Sequence, residues 1–170
     1  QGLLKWRDLL TSAAREEPLM LMLGAAASID DVYEIVLRIV NQFCFLVEDK
    51  GLWKELWHGV KRRPEKSAQR LFFAVAYSYC EANNLDVSPE MDTGTGVVDF
   101  KFSVGAKAKV MVEIKLSDNP KVVAGYEKQL ETYKKSEKTS KGVYVVINVG
   151  GMGKRDIDLL KVKNEQAARG

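Results

Sequence analysis

Val97-Val98-Asp99-Phe100-Lys101-Phe102-Ser103-Val104, followed past Gly105 by Lys109-Val110-Met111-Val112-Glu113-Ile114-Lys115-Leu116, is the stretch that decides how this chain folds. Apolar and polar residues alternate in both halves, which is the period of a strand whose successive side chains point to opposite faces. The short Gly-containing connection predicts a β-hairpin. In the first strand Val98, Phe100, Phe102 and Val104 share one face, and Val97, Asp99, Lys101 and Ser103 share the other. In the second, Val110, Val112, Ile114 and Leu116 lie opposite Lys109, Met111, Glu113 and Lys115. With the turn centred near Ala106, Asp99 falls opposite Glu113 or Ile114, and a bulge would shift that register.

Upstream, Leu85–Glu90 reads as a short strand ending in a Gly-rich turn at Asp92–Gly96. Before it the rhythm is helical. Leu3, Trp6, Leu9 and Leu10 recur at helical spacing. Ser28 is a good N-cap with Asp30 and Asp31 in the first turn, and Val32, Ile35, Val36, Ile39, Val40 and Phe43 follow an i, i+3/i+4 pattern that Gly51 ends. Leu52–Val60 is a short amphipathic stretch, expected helical, with Trp53 and Trp57 as packing residues. His58, the sole histidine, sits on it in a surface or packing role. A further helix starts at Pro64 and runs to about Asn83, with Leu71, Phe72, Val75 and Tyr79 on its apolar face. Downstream of the hairpin, Asp118 or Asn119 caps a helix reaching about Ser136. Val143–Ile147 reads as a buried strand, and Gly150–Gly153 leads into a last helix with Ile157, Leu159, Leu160 and Val162. The order is helices, then strand–strand–strand–helix–strand–helix, for which a mixed sheet with helices on its faces is the natural architecture.

Composition is that of a globular chain, and no apolar run is long enough to cross a bilayer; Pro18–Ala27 is too short and flanked by acids. The chain begins at Gln1 rather than Met, as a fragment or trimmed chain would. Cys44 and Cys80 fall in apolar helical patterns, consistent with buried free thiols in a reducing, cytoplasmic setting. With one histidine and no Cys-x-x-Cys pair, neither a structural zinc site nor a Ser-His-Asp hydrolase is supported, and no phosphate-cradling Walker loop is present. Charge is unevenly spread. Residues 1–100 hold 11 basic and 15 acidic side chains, and residues 101–170 hold 15 basic and 8 acidic. A basic second half favours a polyanion. The candidate phosphate contacts are Lys61, Arg62, Arg63, Lys101, Lys134 and Lys135.

If Asp99 lies opposite Glu113, two carboxylates are neighbours across the ladder, which is destabilising without compensation. A divalent cation such as Mg²⁺ compensates naturally, since it takes one or two carboxylates and keeps water positions open. Lys115 projects on the same face as Glu113.

Asp99 followed by Glu113-Ile114-Lys115 resembles the signature of the PD-(D/E)xK nuclease superfamily, although Val98 replaces the proline of that name. Glu65, one helical turn before Gln69, fits the metal-assisting glutamate that such nucleases carry on an upstream helix. Gln129-Leu130-Glu131-Thr132-Tyr133 is similar to the Gln-x-x-x-Tyr motif of RecB-type nucleases. With Val122 and Tyr126, Gln129 and Tyr133 form a stripe expected to face the sheet edge and the site. The resemblance covers about residues 64–148. It implies a three-layer restriction-endonuclease-like αβββαβ core, with residues 1–62 as a helical N-terminal extension and 63–170 as the nuclease-like core. It further implies Mg²⁺ or Mn²⁺ held by Asp99, Glu113, Glu65 and the Ile114 carbonyl, with Lys115 orienting the attacking water and Gln129 and Tyr133 positioning the strand. The expected partner is nucleic acid, DNA foremost, with the N-terminal helices free to form a homodimer or join a larger protein. The rival expectations are an inactive descendant of the same fold that binds nucleic acid or a protein, and an interaction domain built on the helical first half.

Overall fold

The computed structural model describes residues 27–92, 94 and 96–169. The helix expected over Leu3, Trp6, Leu9 and Leu10, and most of Pro18–Ala27, lie outside the described residues. Helix α1 (Ile29–Glu48) starts as its sequence requires. The Ser28 hydroxyl accepts the Asp31 N–H at 3.2 Å, and the Asp31 carboxylate accepts the Ser28 N–H at 2.7 Å, a reciprocal capping box. Val32, Ile35, Val36, Ile39, Val40 and Phe43 form its buried face. Gly51 adopts φ +77 and opens a 3-10 turn, Leu52–Leu56.

The helix expected over Leu52–Val60 stops there. Trp57–His58 (β1) and Lys61–Arg62 (β2) instead pair as a small antiparallel hairpin. Gly59, at φ +59, makes the tight turn possible, a backbone conformation in which a β-carbon would be strained. The two tryptophans therefore part company: Trp57 is half-buried and Trp53 exposed. Helix α2 (Glu65–Ala82) follows with Pro64 at its N-cap and buries Ala68, Phe72, Val75, Ala76 and Tyr79.

The sheet holds β3 (Asp86–Asp92), β4 (Val97–Val104), β5 (Ala108–Leu116) and β6 (Lys141–Ile147) in that spatial order. The first three strands are antiparallel and β6 runs parallel to β5, so a helical crossover must join them. It is one continuous helix in three parts: α3 (Val122–Ala124), a widened π-helical turn (Gly125–Gln129) and α4 (Leu130–Ser136). The π-turn starts where the helix passes Tyr144 of β6. A β-carbon on Gly125 would sit 2.6 Å from the Tyr144 hydroxyl, which donates to the Val122 carbonyl at 2.7 Å. Helix α5 (Arg155–Arg169) is the last element among the described residues. Its Ile157 and Leu160 are exposed, so the apolar side expected for it is only partly covered.

The protein is thus a mixed α/β fold with helices on both faces of a four-stranded sheet. On one face α1 and α2 share a single core with Phe100, Phe102, Val112 and Ile114. Phe72 is its hub, with ring centroids 5.4 Å from Phe43, 5.1 Å from Phe100 and 6.3 Å from Phe102. Truncating so enclosed a ring costs about 3–5 kcal/mol. The opposite face is smaller: Val98, Met111, Leu130 and Tyr133, with Tyr126 and Tyr144 packed against them.

Val98 corrects an expectation. Strict alternation puts it with Phe100 and Phe102, but it packs with Met111 beneath α4. Pairing of β4 to β5 is regular only from Phe100↔Val112 to Val104↔Ala108. At Asp99 a side-chain carboxylate takes the Ile114 N–H at 2.7 Å in place of a main-chain carbonyl. The strand is reoriented there, so the residues either side of Asp99 serve different layers.

Candidate active site

The two central strands deliver the chemistry. Counting on from Phe100↔Val112, Asp99 falls opposite Glu113, one of the two registers left open by the sequence. Asp99 binds β5 through its carboxylate, while its own N–H donates to Glu113 Oε2 at 3.3 Å. Lys115 turns back along β5 to place Nζ 2.6 Å from Glu113 Oε1. Glu65, in the first turn of α2, reaches across to the same lysine with Oε1 at 3.5 Å. Its Oε2 accepts the Leu116 N–H and the Asn119 side-chain amide, both at 2.9 Å. The structure thus brings Asp99, Glu113, Lys115 and Glu65 together. The Ile114 side chain is buried, and it is the Ile114 N–H that touches Asp99.

Three carboxylates face one ammonium, and Glu113 is fully enclosed. Burial pushes the Glu113 carboxyl up to about 7, and the charge of Asp99 adds to the rise against the opposing Lys115. Burial likewise raises Asp99, offset in part by the Ile114 N–H and Lys115. For Lys115 burial works the other way. The hydrogen bond to Glu113 and the charges of Glu113, Asp99 and Glu65 outweigh it, so the ammonium holds its proton above its usual range. Three carboxylates to one ammonium make proton uptake by the buried acids easier than in water, and perturbed groups of this kind gather at functional sites.

Two partners escaped the sequence reading as site residues. Gln69 donates to Asp99 Oδ1 at 2.7 Å, so both Asp99 oxygens are held. Asn119 fixes Glu65 and also accepts the Lys121 N–H. The signal for Gln69 was its place one turn after Glu65; for Asn119 it was the Asp-Asn-Pro turn. Gln129 and Tyr133 do meet. The Gln129 amide donates to the Tyr133 hydroxyl, which donates to the Val97 carbonyl at 2.7 Å. They tie α4 to β4 two residues before Asp99, and burial raises the Tyr133 phenol.

The basic residues fall into separate groups. Lys61 and Arg63 are exposed, while Arg62 is paired to Asp118 at 2.7 Å, which fastens the β1–β2 hairpin beside the end of β5. Lys101 lies away from the site, 4.0 Å from Glu137, an acid that also pairs with Lys109 at 2.9 Å. Lys134 pairs with Glu131 at 2.8 Å and Lys135 is exposed. They do not form one strip. Among the described residues, no group of three or more His, Cys, Asp or Glu side chains stands ready to hold a metal ion, and no helix is long and apolar enough to cross a membrane.

These features define a mixed α/β domain with an acid–acid–lysine cluster on its central strands. The chain belongs to the family described as a domain of unknown function, DUF8371, which matches residues 32–151. That span takes in most of α1 and every member of the cluster. No curated protein and no solved structure matches the chain.

Proposed function

We propose that this domain hydrolyses phosphodiester bonds in nucleic acid, DNA foremost, as a divalent-metal-dependent nuclease of the PD-(D/E)xK type. The observation that carries the reading is the meeting of Asp99, Glu113, Lys115 and Glu65 in one buried cluster with surplus negative charge. The donors are of the kind Mg²⁺ or Mn²⁺ takes, hard carboxylate oxygens, and an ion would enter by displacing protein partners that now hold them, Lys115 from Glu113 first. Asp99 and Glu113 hold the ion, with Glu65 and the Ile114 carbonyl as further ligands. When bound, it polarises the phosphate and lowers the pKa of an attacking water. Lys115, now anchored by Glu113, orients that water and stabilises charge on the phosphoryl oxygens. Gln129 and Tyr133 position the strand, and Gln69 keeps Asp99 from rotating.

The test is cleavage of labelled single- and double-stranded DNA and RNA, linear and circular, with Mg²⁺, with Mn²⁺ and with EDTA. Metal-dependent cutting is expected, and Lys115→Ala should abolish it with circular dichroism unchanged. A variant that cuts as well as its parent removes Lys115 from the chemistry.

One observation favours a second reading. Every oxygen of Asp99, Glu113 and Glu65 already has a protein partner, and the carboxylates are not grouped around a common point. A domain that uses the cluster only to brace its strands would bind nucleic acid or a protein and cut nothing. It would show no metal binding by calorimetry, whereas the nuclease binds Mg²⁺ or Mn²⁺.

A further inference from the structure

A cleft of about 230 Å³ opens between α2 and β3 directly beside the acid cluster, bounded by Lys66, Gln69, Arg70, Phe73, Pro89 and Asp99. Phe73, Phe100 and Pro89 give it apolar walls, and Glu90 is a further acid on its lining. The Phe73 ring is half-buried and lies nearly parallel to Phe100, at 9° and 6.3 Å between centroids, so its orientation is fixed by the core. Opposite is Pro89, on the edge strand β3, where a residue without an N–H is tolerated. At the rim Arg70 is exposed and makes no ion pair among the described residues. Lys66 is paired with Glu90, whose backbone is held at φ +51. Such a conformation is costly for a residue with a β-carbon and gathers at binding and catalytic sites.

Size and chemistry select the occupant. The volume is below the ~300 Å³ at which sites for drug-sized ligands begin, so it admits one ring system and not a base pair. An oriented aromatic wall with a guanidinium at its mouth suits a planar base attached to a phosphate. Asp99 also lines the cleft, so whatever enters lies next to the proposed reaction centre. We infer that this cleft takes one unpaired nucleobase beside the phosphate handled at Asp99, and that the polymer engaged is therefore single-stranded. The inference rests on reading the cluster as a site for nucleic-acid strands.

The test uses the full chain with Ca²⁺, which neutralises the carboxylates but is too large and loosely held to replace Mg²⁺ in hydrolysis, and again in EDTA. The probes are a short single-stranded oligonucleotide carrying a fluorescent adenine analogue that stacking quenches, in DNA and RNA forms, and the matching blunt duplex. The single strand should bind with quenching and the duplex at least about tenfold more weakly. Phe73→Leu, which keeps an apolar side chain in the core, should lose the quench and weaken binding by roughly 5- to 150-fold, the range for loss of one stacked base. Arg70→Gln alters an exposed side chain and should weaken binding while the quench persists at saturation. A thermal melt of each variant separates lost binding from lost folding. Equal affinity for strand and duplex, or binding and quenching that neither variant changes, overturns the inference, as does no binding of any probe. Phe73-dependent quenching without cleavage in Mg²⁺ or Mn²⁺ keeps the cleft and removes the nuclease. Duplex cleavage indifferent to both variants keeps the nuclease and removes the cleft.

Discussion

Replacing Glu113 by Gln should make the metal-free protein more stable at about pH 8 and leave it nearly unchanged at about pH 4. Glu113 is fully enclosed, and burial with the neighbouring Asp99 charge raises its carboxyl from an ordinary 4.5 to about 7. Unfolded, the same side chain gives up its proton near 4.5. Between those two values the folded state binds the extra proton, so stability falls as pH rises through the window and stays low above it. At about 1.4 kcal/mol for each tenfold change, the ionised Glu113 costs the fold about 3 kcal/mol at the alkaline end. Glutamine has nearly the same shape and can still accept from Lys115, which keeps Glu65 at 3.5 Å as a counter-charge; its amide nitrogen gives up the long 3.3 Å acceptance from the Asp99 N–H, which trims the gain by about 1 kcal/mol. The assay is urea unfolding in EDTA at both pH values. A gain of up to about 3 kcal/mol near pH 8 is expected, with the two curves converging near pH 4, below the unfolded value of the carboxyl. A variant less stable than its parent near pH 8 refutes the reasoning. It would mean that the contact of 2.6 Å to Lys115 is worth more than the burial costs.

Asp99→Asn should weaken Mg²⁺ or Mn²⁺ binding measured by calorimetry, and unchanged affinity would remove Asp99 from the ligand set. Gln42 is buried in α1, and its amide nitrogen has no partner among the described residues; Gln42→Leu should raise stability by about 1–2 kcal/mol, read as a higher urea midpoint at unchanged slope. A lower midpoint would show that the amide has a partner in the folded protein. Tyr133→Phe removes the hydroxyl that joins Gln129 to the Val97 carbonyl, and should cost about 1–2 kcal/mol and speed hydrogen exchange at the start of β4. An unchanged midpoint and exchange rate would deny the brace.

The hairpin was legible because alternation and turn chemistry are local. Val104 pairs with Ala108 about Ala106, so Asp99 had to arrive near Glu113. The side taken by Val98 was not legible. It depends on the Asp99 carboxylate capturing a main-chain N–H of the next strand, an event between strands that no period encodes. Trp53 and Trp57, four residues apart, fit a helix as well as a 3-10 turn followed by a hairpin, and Gly59 decided between them through its backbone. The π-turn was hidden for a like reason: its cause is Tyr144, on another element. Charge counts identified basic side chains but could not see that Asp118, Glu137 and Glu131 already occupy Arg62, Lys101 and Lys134. Nor do the residues of α1 state which surface their apolar face will meet. In the site, the acids and the lysine were found by type and spacing. Gln69 and Asn119 were passed over because an amide shows its worth only once its partner is in place.

The tight passage of Gly125 under Tyr144 leaves a mark that other members of the family should carry. A methyl at position 125 and a hydroxyl on residue 144 compete for the same space. Sequences that keep the tyrosine are confined to glycine at 125, and those that exchange it for phenylalanine are free to place alanine there. The two positions, 19 apart in the chain, should therefore drift as a pair.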